Sequence, residues 1–183
     1  MRYRLTLPLC LIACTVALTS RAAGNDNAAT PTLTVPGQFS LGSPGDGFVW
    51  HKVREQKQQG GLVVLSFLAT REGSPEKVVL VVEQGAAADS DAKRTARIKG
   101  DYNGLLTGLR ASGHTELKGS PPTLATPIPK EVSFDMSGKD KAGQAAAFRG
   151  VVVFGAKNVY HFQVAAPTAD RVAELSKVVE TLK

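Results

Sequence analysis

The chain has few cysteines and histidines, the residues that most often act as nucleophiles, general bases or metal ligands. The cysteines are Cys10 and Cys14, and the histidines are His51, His114 and His161. No two histidines have the short spacing of a zinc site, and no Gly-x-Ser-x-Gly motif marks a serine nucleophile. The sequence therefore predicts no catalytic site, no metal site and no cofactor-binding site.

The polar groups that remain have structural interpretations. Glu131, Asp135 and Asp140 lie near one predicted turn, but they lack the alternating acidic pattern of a calcium loop. We interpret these three residues as a solvated edge. His51 and His161 lie in predicted strands, on faces opposite the aromatic side chains, and we expect both to be partly exposed strand histidines.

Both cysteines lie in an N-terminal segment that is typical of an export signal. Arg2 and Arg4 supply positive charge, and the stretch from Leu5 to Leu18 is uncharged, mostly apolar and too short to span a bilayer. Residues 20–22, Ser-Arg-Ala, then match the small-x-small pattern that a signal peptidase accepts. We predict a signal peptide at 1–22 and an exported protein, periplasmic or secreted, that keeps no cysteine.

A second processing route competes with this one. Residues 11–14, Leu-Ile-Ala-Cys, resemble a bacterial lipobox, which would make Cys14 a lipidated N-terminus. The apolar run continues beyond Cys14, whereas a lipoprotein usually becomes polar there. Free export and a membrane-anchored lipoprotein both stay open, and contact with a membrane is expected only through a lipid on Cys14.

Half of the chain's net positive charge lies in the predicted signal. Of the 22 basic residues, three lie within 1–22, whereas all 16 acidic residues follow it, so the net charge falls from +6 to +3 on cleavage. A domain with this small excess, destined for export, gives little reason to expect a nucleic-acid partner. The 161 residues that remain of 183 are enough for one domain with a hydrophobic core.

Periodicity divides the rest of the chain into a leader and one domain. Residues 23–32 are small and polar, and we predict a disordered leader. Residues 33–183 indicate a single α/β (α+β) domain, in which a mainly antiparallel sheet has a helix on each side. The predicted strands cover 33–35, 48–53, 62–69, 78–82, 132–136, 145–154 and 159–165, and the predicted helices cover 91–112 and 168–182.

The order of these elements resembles the PsbP-like superfamily. Three stretches carry the resemblance: the opening 35–39 with 48–50, the middle strands followed by one long helix, and the closing hairpin followed by a terminal helix. The superfamily includes extrinsic photosystem II subunits, a Ran-release factor and DcrB-type lipoproteins. The resemblance implies a PsbP-like α/β/α sandwich and a habit of binding other proteins, and it implies no reaction.

Two groups of residues are candidate binding surfaces. The long helix carries a basic interaction face, and three aromatic residues from different elements could line a pocket. The interaction face is Lys93, Arg94, Arg97 and Lys99, and the pocket is Trp50, Tyr102 and Phe134. Solvation of the helix and anchoring of the core are the alternative interpretations of these two groups.

Gly100, Gly104 and Gly108 recur every four residues on the predicted long helix. This spacing predicts either a close approach of the helix to the sheet or a partner, or a broken helix.

The sequence predicts a non-enzymatic exported envelope domain. We expect this domain to bind an unidentified envelope protein during assembly of an envelope complex. The lack of a catalytic constellation motivates this hypothesis. The alternative is a small-ligand or lipid-binding periplasmic domain or lipoprotein, which needs an apolar gap between helix and sheet. A hydrolase ranks third, because no nucleophile and base can be paired.

Overall fold

The computed structural model describes residues 31–86 and 90–183. The predicted signal peptide, Cys14 and residues 23–30 of the leader lie outside the described residues. In chain order, the strands and helices are β1 Leu33–Val35, β2 Phe39–Leu41, β3 Val49–Lys57, β4 Val63–Thr70, β5 Lys77–Gln84, α1 Asp91–Ala111, β6 Thr115–Gly119, β7 Glu131–Lys139, β8 Ala145–Phe154, β9 Asn158–Ala166 and α2 Ala169–Ser176.

Seven strands form one sheet in the order β3-β4-β5-β9-β8-β7-β6, and every neighbouring pair is antiparallel. The short strands β1 and β2 pair only with each other. The two apolar runs form β4 and β5, which lie inside the sheet and are joined as a hairpin, as predicted. The prediction of a mixed α+β domain with a mainly antiparallel sheet is therefore confirmed.

Alternating positions along β8 and β9 separate the two faces of the sheet. Val151 and Phe162 pack in the cluster that contains Val172 and Leu175 of α2. The next residue along β8, Val152, packs instead beside α1. We call these surfaces the α2 face and the α1 face. Because side chains alternate along a strand, helices α1 and α2 lie on opposite sides of the sheet.

Helix α1 begins and ends where the sequence predicts. The side chain of Ser90 accepts a hydrogen bond from the Lys93 amide, and Gly113 adopts a positive φ of 86° just beyond the last turn. The helix is continuous over 21 residues, so the glycine repeat does not break it. Gly100 is exposed with open space around it, so it makes no close approach. Among the described residues, no helix is long and apolar enough to cross a membrane.

The C-terminal helix is shorter than predicted. Thr168 caps it by accepting from the Arg171 amide, but the α-helix ends at Ser176 and continues as a 3-10 helix over Lys177–Thr181. The backbone of Lys183 then exchanges two hydrogen bonds of 3.1 Å with Ser40 in β2. Val172, Leu175, Val178 and Val179 are nevertheless buried against the α2 face, and Leu182 is partly buried there.

Strand β6 was not predicted. Its sequence, Thr-Glu-Leu-Lys-Gly, is polar, and only β7 pairs with it. Gly119 and Gly138 let these two strands approach closely, since an added Cβ at either position would lie within 3 Å of a neighbouring backbone oxygen.

Candidate functional site

The predicted aromatic pocket does not form. Tyr102 and Phe134 contact each other on the α1 face, with ring centroids 5.5 Å apart. Trp50 lies on the α2 face, where its indole nitrogen donates to the carbonyl of Gly42 at 2.9 Å. The strand alternation that buries Trp50 places it on the opposite side of the sheet, so the three residues cannot line one cavity.

The predicted interaction face is divided. Lys93 and Lys99 are exposed, whereas Arg94 and Arg97 turn toward the fold. Arg94 donates to the carbonyl of Ile128 at 2.9 Å and stacks on the ring of Phe154. These four residues therefore do not present one continuous basic surface.

Arg97 instead belongs to a buried ionic cluster between α1 and the sheet, which comprises Glu83, Arg97, Asp101 and His161. Nδ1 of His161 lies 2.6 Å from Oδ2 of Asp101, and the two side chains are 3% and 8% exposed. An ionised carboxylate only accepts hydrogen bonds, so Nδ1 carries the proton and donates. Arg97 pairs with the other carboxylate, Glu83, which is also buried. Burial lowers the pKa of the Arg97 guanidinium, and Asp101 opposes that effect.

The expectation that His161 is partly exposed is wrong, because α1 covers it. His51 is half-exposed on β3, as expected. Nε2 of His161 lies 3.7 Å from Oε1 of Glu83, beyond hydrogen-bond distance. Within the described part of the chain, Nε2 of His161 and Oε1 of Gln163 are buried without a hydrogen-bond partner. The His161, Asp101 and Glu83 side chains are almost fully enclosed between α1 and the sheet, whereas the Arg97 side chain is 24% exposed, so the cluster links α1 to the sheet.

An open concave feature among the described residues is a groove of about 570 Å³ at one end of the sheet. Three segments form its walls: the β1–β2 turn, the end of β5 and the β8–β9 turn. The lining residues are Gly37, Gln38, Gln84, Gly85, Gly155, Ala156, Lys157, Asn158 and Tyr160. We call this feature the amide groove.

Backbone hydrogen bonds fix the walls of the amide groove. The amide of Gly85 donates to the carbonyl of Lys157 at 3.0 Å, which ties the end of β5 to the β8–β9 turn. Gly155 leaves little room for a side chain, because a Cβ there would lie 3.0 Å from the Asn158 carbonyl and 3.3 Å from the Tyr160 ring. The ring of Tyr160 is held edge-on against Phe39 at 5.6 Å.

The side chains of the amide groove are suited to recognition. Gln38 and Gln84 hydrogen-bond to each other, and Asn158 donates to the Tyr160 hydroxyl at 3.2 Å. A carboxamide offers both donors and an acceptor, which matches the donor and acceptor of a peptide group. Lys157 supplies the one charge among the lining residues, and it is positive and exposed.

The acidic residues near the predicted turn have separate roles. Asp135 is exposed and forms two hydrogen bonds with Arg149, which raise the pKa of that guanidinium. Asp140 accepts from the amides of Ala142 and Gln144 at 2.8 Å each and so closes the β7–β8 turn. Across the residues that the structure covers, no group of three or more histidine, cysteine or acidic side chains could hold a metal ion.

Sequence reasoning missed the ionic cluster and the amide groove for different reasons. Asp101 and His161 are 60 residues apart, and no local pattern links them. The groove had a local signal, since turns rich in glycine and amides occur at 36–38 and 155–158. The sequence could not predict that these turns meet at one end of the sheet.

Comparison with known proteins assigns no family. No protein-family model matches the chain, and no curated protein matches it. The ionic cluster and the amide groove are therefore the features from which a function can be argued.

Proposed function

We propose that this protein is an exported, non-enzymatic domain that binds a protein partner in the cell envelope through the amide groove. The proposal rests on where the buried and the accessible polar side chains lie in the fold. Glu83, Asp101 and His161 are buried beneath α1, whereas the amide groove is open and its polar side chains are amides, one lysine and one tyrosine.

The lining of the amide groove is best suited to binding a peptide segment. Gln38, Gln84 and Asn158 can each exchange hydrogen bonds with a main chain, and the Tyr160 ring supplies an apolar surface. The glycines in the walls let a partner backbone approach closely. Lys157 favours a partner segment with an acidic residue.

We also propose membership of the PsbP-like superfamily, on the order of the elements. A long helix after the middle strands, and a closing hairpin followed by a terminal helix, support it. The opening stretch fits less well, because residues 49–50 begin β3 of the large sheet while β1 and β2 form their own hairpin. An envelope setting follows from the predicted export signal.

The small-ligand alternative depended on an aromatic pocket that does not form. Its pocket required Trp50, Tyr102 and Phe134 together, and these residues pack in two cores on opposite faces of the sheet. Each of the three is at most 7% exposed.

Affinity capture of the full chain from its native envelope, after crosslinking, tests the proposal. We expect one partner in defined stoichiometry with the wild type and with Lys99→Glu, an exposed control of equal charge change on α1. Lys157→Glu should reduce recovery by up to about fivefold, because an exposed ion pair is worth up to about 1 kcal/mol. A monomer that carries a bound lipid in native mass spectrometry, and no partner, would contradict the proposal.

A further inference from the structure

We propose that the amide groove extends across the end of the sheet to Lys57 in β3, and that it binds an extended segment with two acidic residues. This inference rests on the proposed function, since it names the chemistry of the segment that the groove would bind. The path from the groove to Lys57 is a strip of three exposed glycines, Gly60, Gly61 and Gly85, which we call the glycine rim. One lysine lies at each end of this surface, Lys157 in the groove and Lys57 beyond the rim.

The register of the sheet brings Lys57 into line with the amide groove. Lys57 pairs with Val63 in β4, which pairs in turn with Gln84 in β5. Gln84 pairs with Asn158 in β9, and both of these amides line the groove. Directly opposite residues on neighbouring strands point to the same face of a sheet. The side chain of Lys57 therefore leaves the sheet on the face that carries the groove amides.

Backbone contacts join the glycine rim to the groove. The amide of Gly85 donates to the Lys157 carbonyl at 3.0 Å, and a Cβ added to Gly85 would lie 3.9 Å from the carbonyl oxygen of Gly61. The amide of Gln58 donates to the Leu62 carbonyl at 2.8 Å, which closes the turn between β3 and β4. A Cβ added to Gly61 would meet nothing within 4 Å, so this part of the rim is open. Since glycines carry no side chain, the backbone of a bound segment can lie directly against them.

The charges at the two ends of this surface favour an acidic segment. Lys57 and Lys157 are exposed, and neither forms an ion pair with a described residue. The carboxylate nearest to Lys57 along β3, that of Glu55, already accepts from Lys52 at 2.6 Å. Two such lysines, separated by amides and glycines, are complementary to a segment that offers one carboxylate to each.

The separation of the lysines sets the spacing of the acidic residues. Three strand spacings lie between Lys57 and Asn158, the neighbour of Lys157, which corresponds to about 14 Å between backbones. An extended chain advances about 3.4 Å per residue, so the two acidic residues should lie about four positions apart. A strand added along the edge of β3 would instead reach Lys57 without reaching Lys157.

Zero-length crosslinking of the full chain in its native envelope tests this proposal. A carbodiimide joins an amine to a carboxylate only where the two groups touch, so mass spectrometry of the products identifies the acidic residues that face each lysine. We expect Lys57 and Lys157 to be joined to one continuous segment of one partner, at residues about three to five positions apart. A Lys57 that is joined to a second copy of this chain, to a different protein or to no protein would overturn the extension.

Recovery of the partner is a second, independent measurement. Lys57→Glu should reduce recovery by up to about fivefold, as Lys157→Glu should. Lys57→Arg keeps the charge, so it should recover the partner as well as the wild type and the control Lys99→Glu do. Equal recovery with Lys57→Glu and Lys99→Glu would overturn the extension.

The two measurements separate this inference from the proposed function. Crosslinks and reduced recovery at Lys157 alone would overturn the extension and leave the amide groove as the binding site. The absence of both effects at both lysines would overturn the amide groove itself.

Discussion

Nδ1 of His161 donates to Oδ2 of Asp101 across 2.6 Å, although 60 residues separate them in the chain. His161 lies in β9, which is inside the sheet, and Asp101 lies at the middle of α1. With the ion pair between Arg97 and Glu83, this bond adds polar attachment to an apolar contact between α1 and the sheet. In that contact, Tyr102, Leu105 and Leu109 pack on aromatic and methionine side chains. Helix α1 is therefore positioned by a directional bond as well as by packing.

Replacement of Asp101 by alanine should destabilise the protein by about 1–3 kcal/mol, because it leaves a buried imidazole without its partner. Alanine is the better helix former, so the loss cannot come from helix propensity. Urea midpoints measure the change. Asn103→Ala, on the exposed side of the same helix, is the control and should be neutral or slightly stabilising. Equal midpoints for Asp101→Ala and the wild type would show that the bond adds nothing.

A second ionic group fixes α2. Glu76 is 8% exposed and accepts from Arg171 at 2.7 Å and from Arg71 at 2.8 Å. The hydrogen bond from Arg171 lowers the pKa of Glu76, the charges of both arginines add to it, and burial opposes it. Since the pKa is lower in the folded state, the stabilisation is present above the unfolded pKa and is lost as pH falls through the folded one.

The Glu76→Gln variant should therefore lose about 1–3 kcal/mol at neutral pH and show a flatter loss of stability between about pH 5 and 3. Thermal unfolding across this pH range measures both effects. The exposed neighbour Glu72→Gln is the control and should follow the wild type. If the two variants had the same acid profile, the arginine pair would not stabilise the folded state.

Gly150 in β8 should not tolerate a side chain. An added Cβ would lie 2.2 Å from the ring of Phe134, which lies over this glycine from β7. We expect Gly150→Ala to cost about 1–3 kcal/mol through overpacking. Gly100→Ala, on the open side of α1, should instead stabilise by about 0.5–1 kcal/mol. Denaturant midpoints of the two variants should therefore move in opposite directions.

The sequence predicted the elements that have a regular apolar pattern. Strands β4, β5, β8 and β9 and helix α1 were found because burial on one or two faces imposes that pattern. Strand β6 has no apolar pattern, since its residues lie at the exposed edge and it pairs only with β7. The burial of His161 could not be predicted, because it depends on which face of the sheet α1 covers.

Processing of the N-terminus has two expected products. The mature protein should begin at or near Ala23, or at a lipidated Cys14, since the signal supports both cleavage patterns. The intact mass of the exported protein distinguishes them, because a lipid adds a large, discrete increment. A product that keeps Met1 would contradict both.

The C-terminal segment should be indispensable although it is terminal. Leu175 is fully buried and packs with Val172, Val178 and Val179 on the α2 face. Burial of an aliphatic side chain is worth about 1.5–3 kcal/mol, so this group contributes an amount comparable to the stability of a whole domain. Removal of residues 168–183 should give an insoluble or molten product. A truncated chain that still unfolded cooperatively in urea would show that this segment does not stabilise the sheet.

Leu175→Ala is the finer test of the same contact. We expect it to cost about 2–5 kcal/mol, because a large aliphatic side chain is lost from a filled core and leaves a cavity. Lys177→Ala, two residues away and exposed, should change the urea midpoint little. A loss confined to Leu175→Ala would place the stabilisation in the apolar contact with β8 and β9. Equal, small effects of both substitutions would mean that the backbone bonds between Lys183 and Ser40 hold the segment instead.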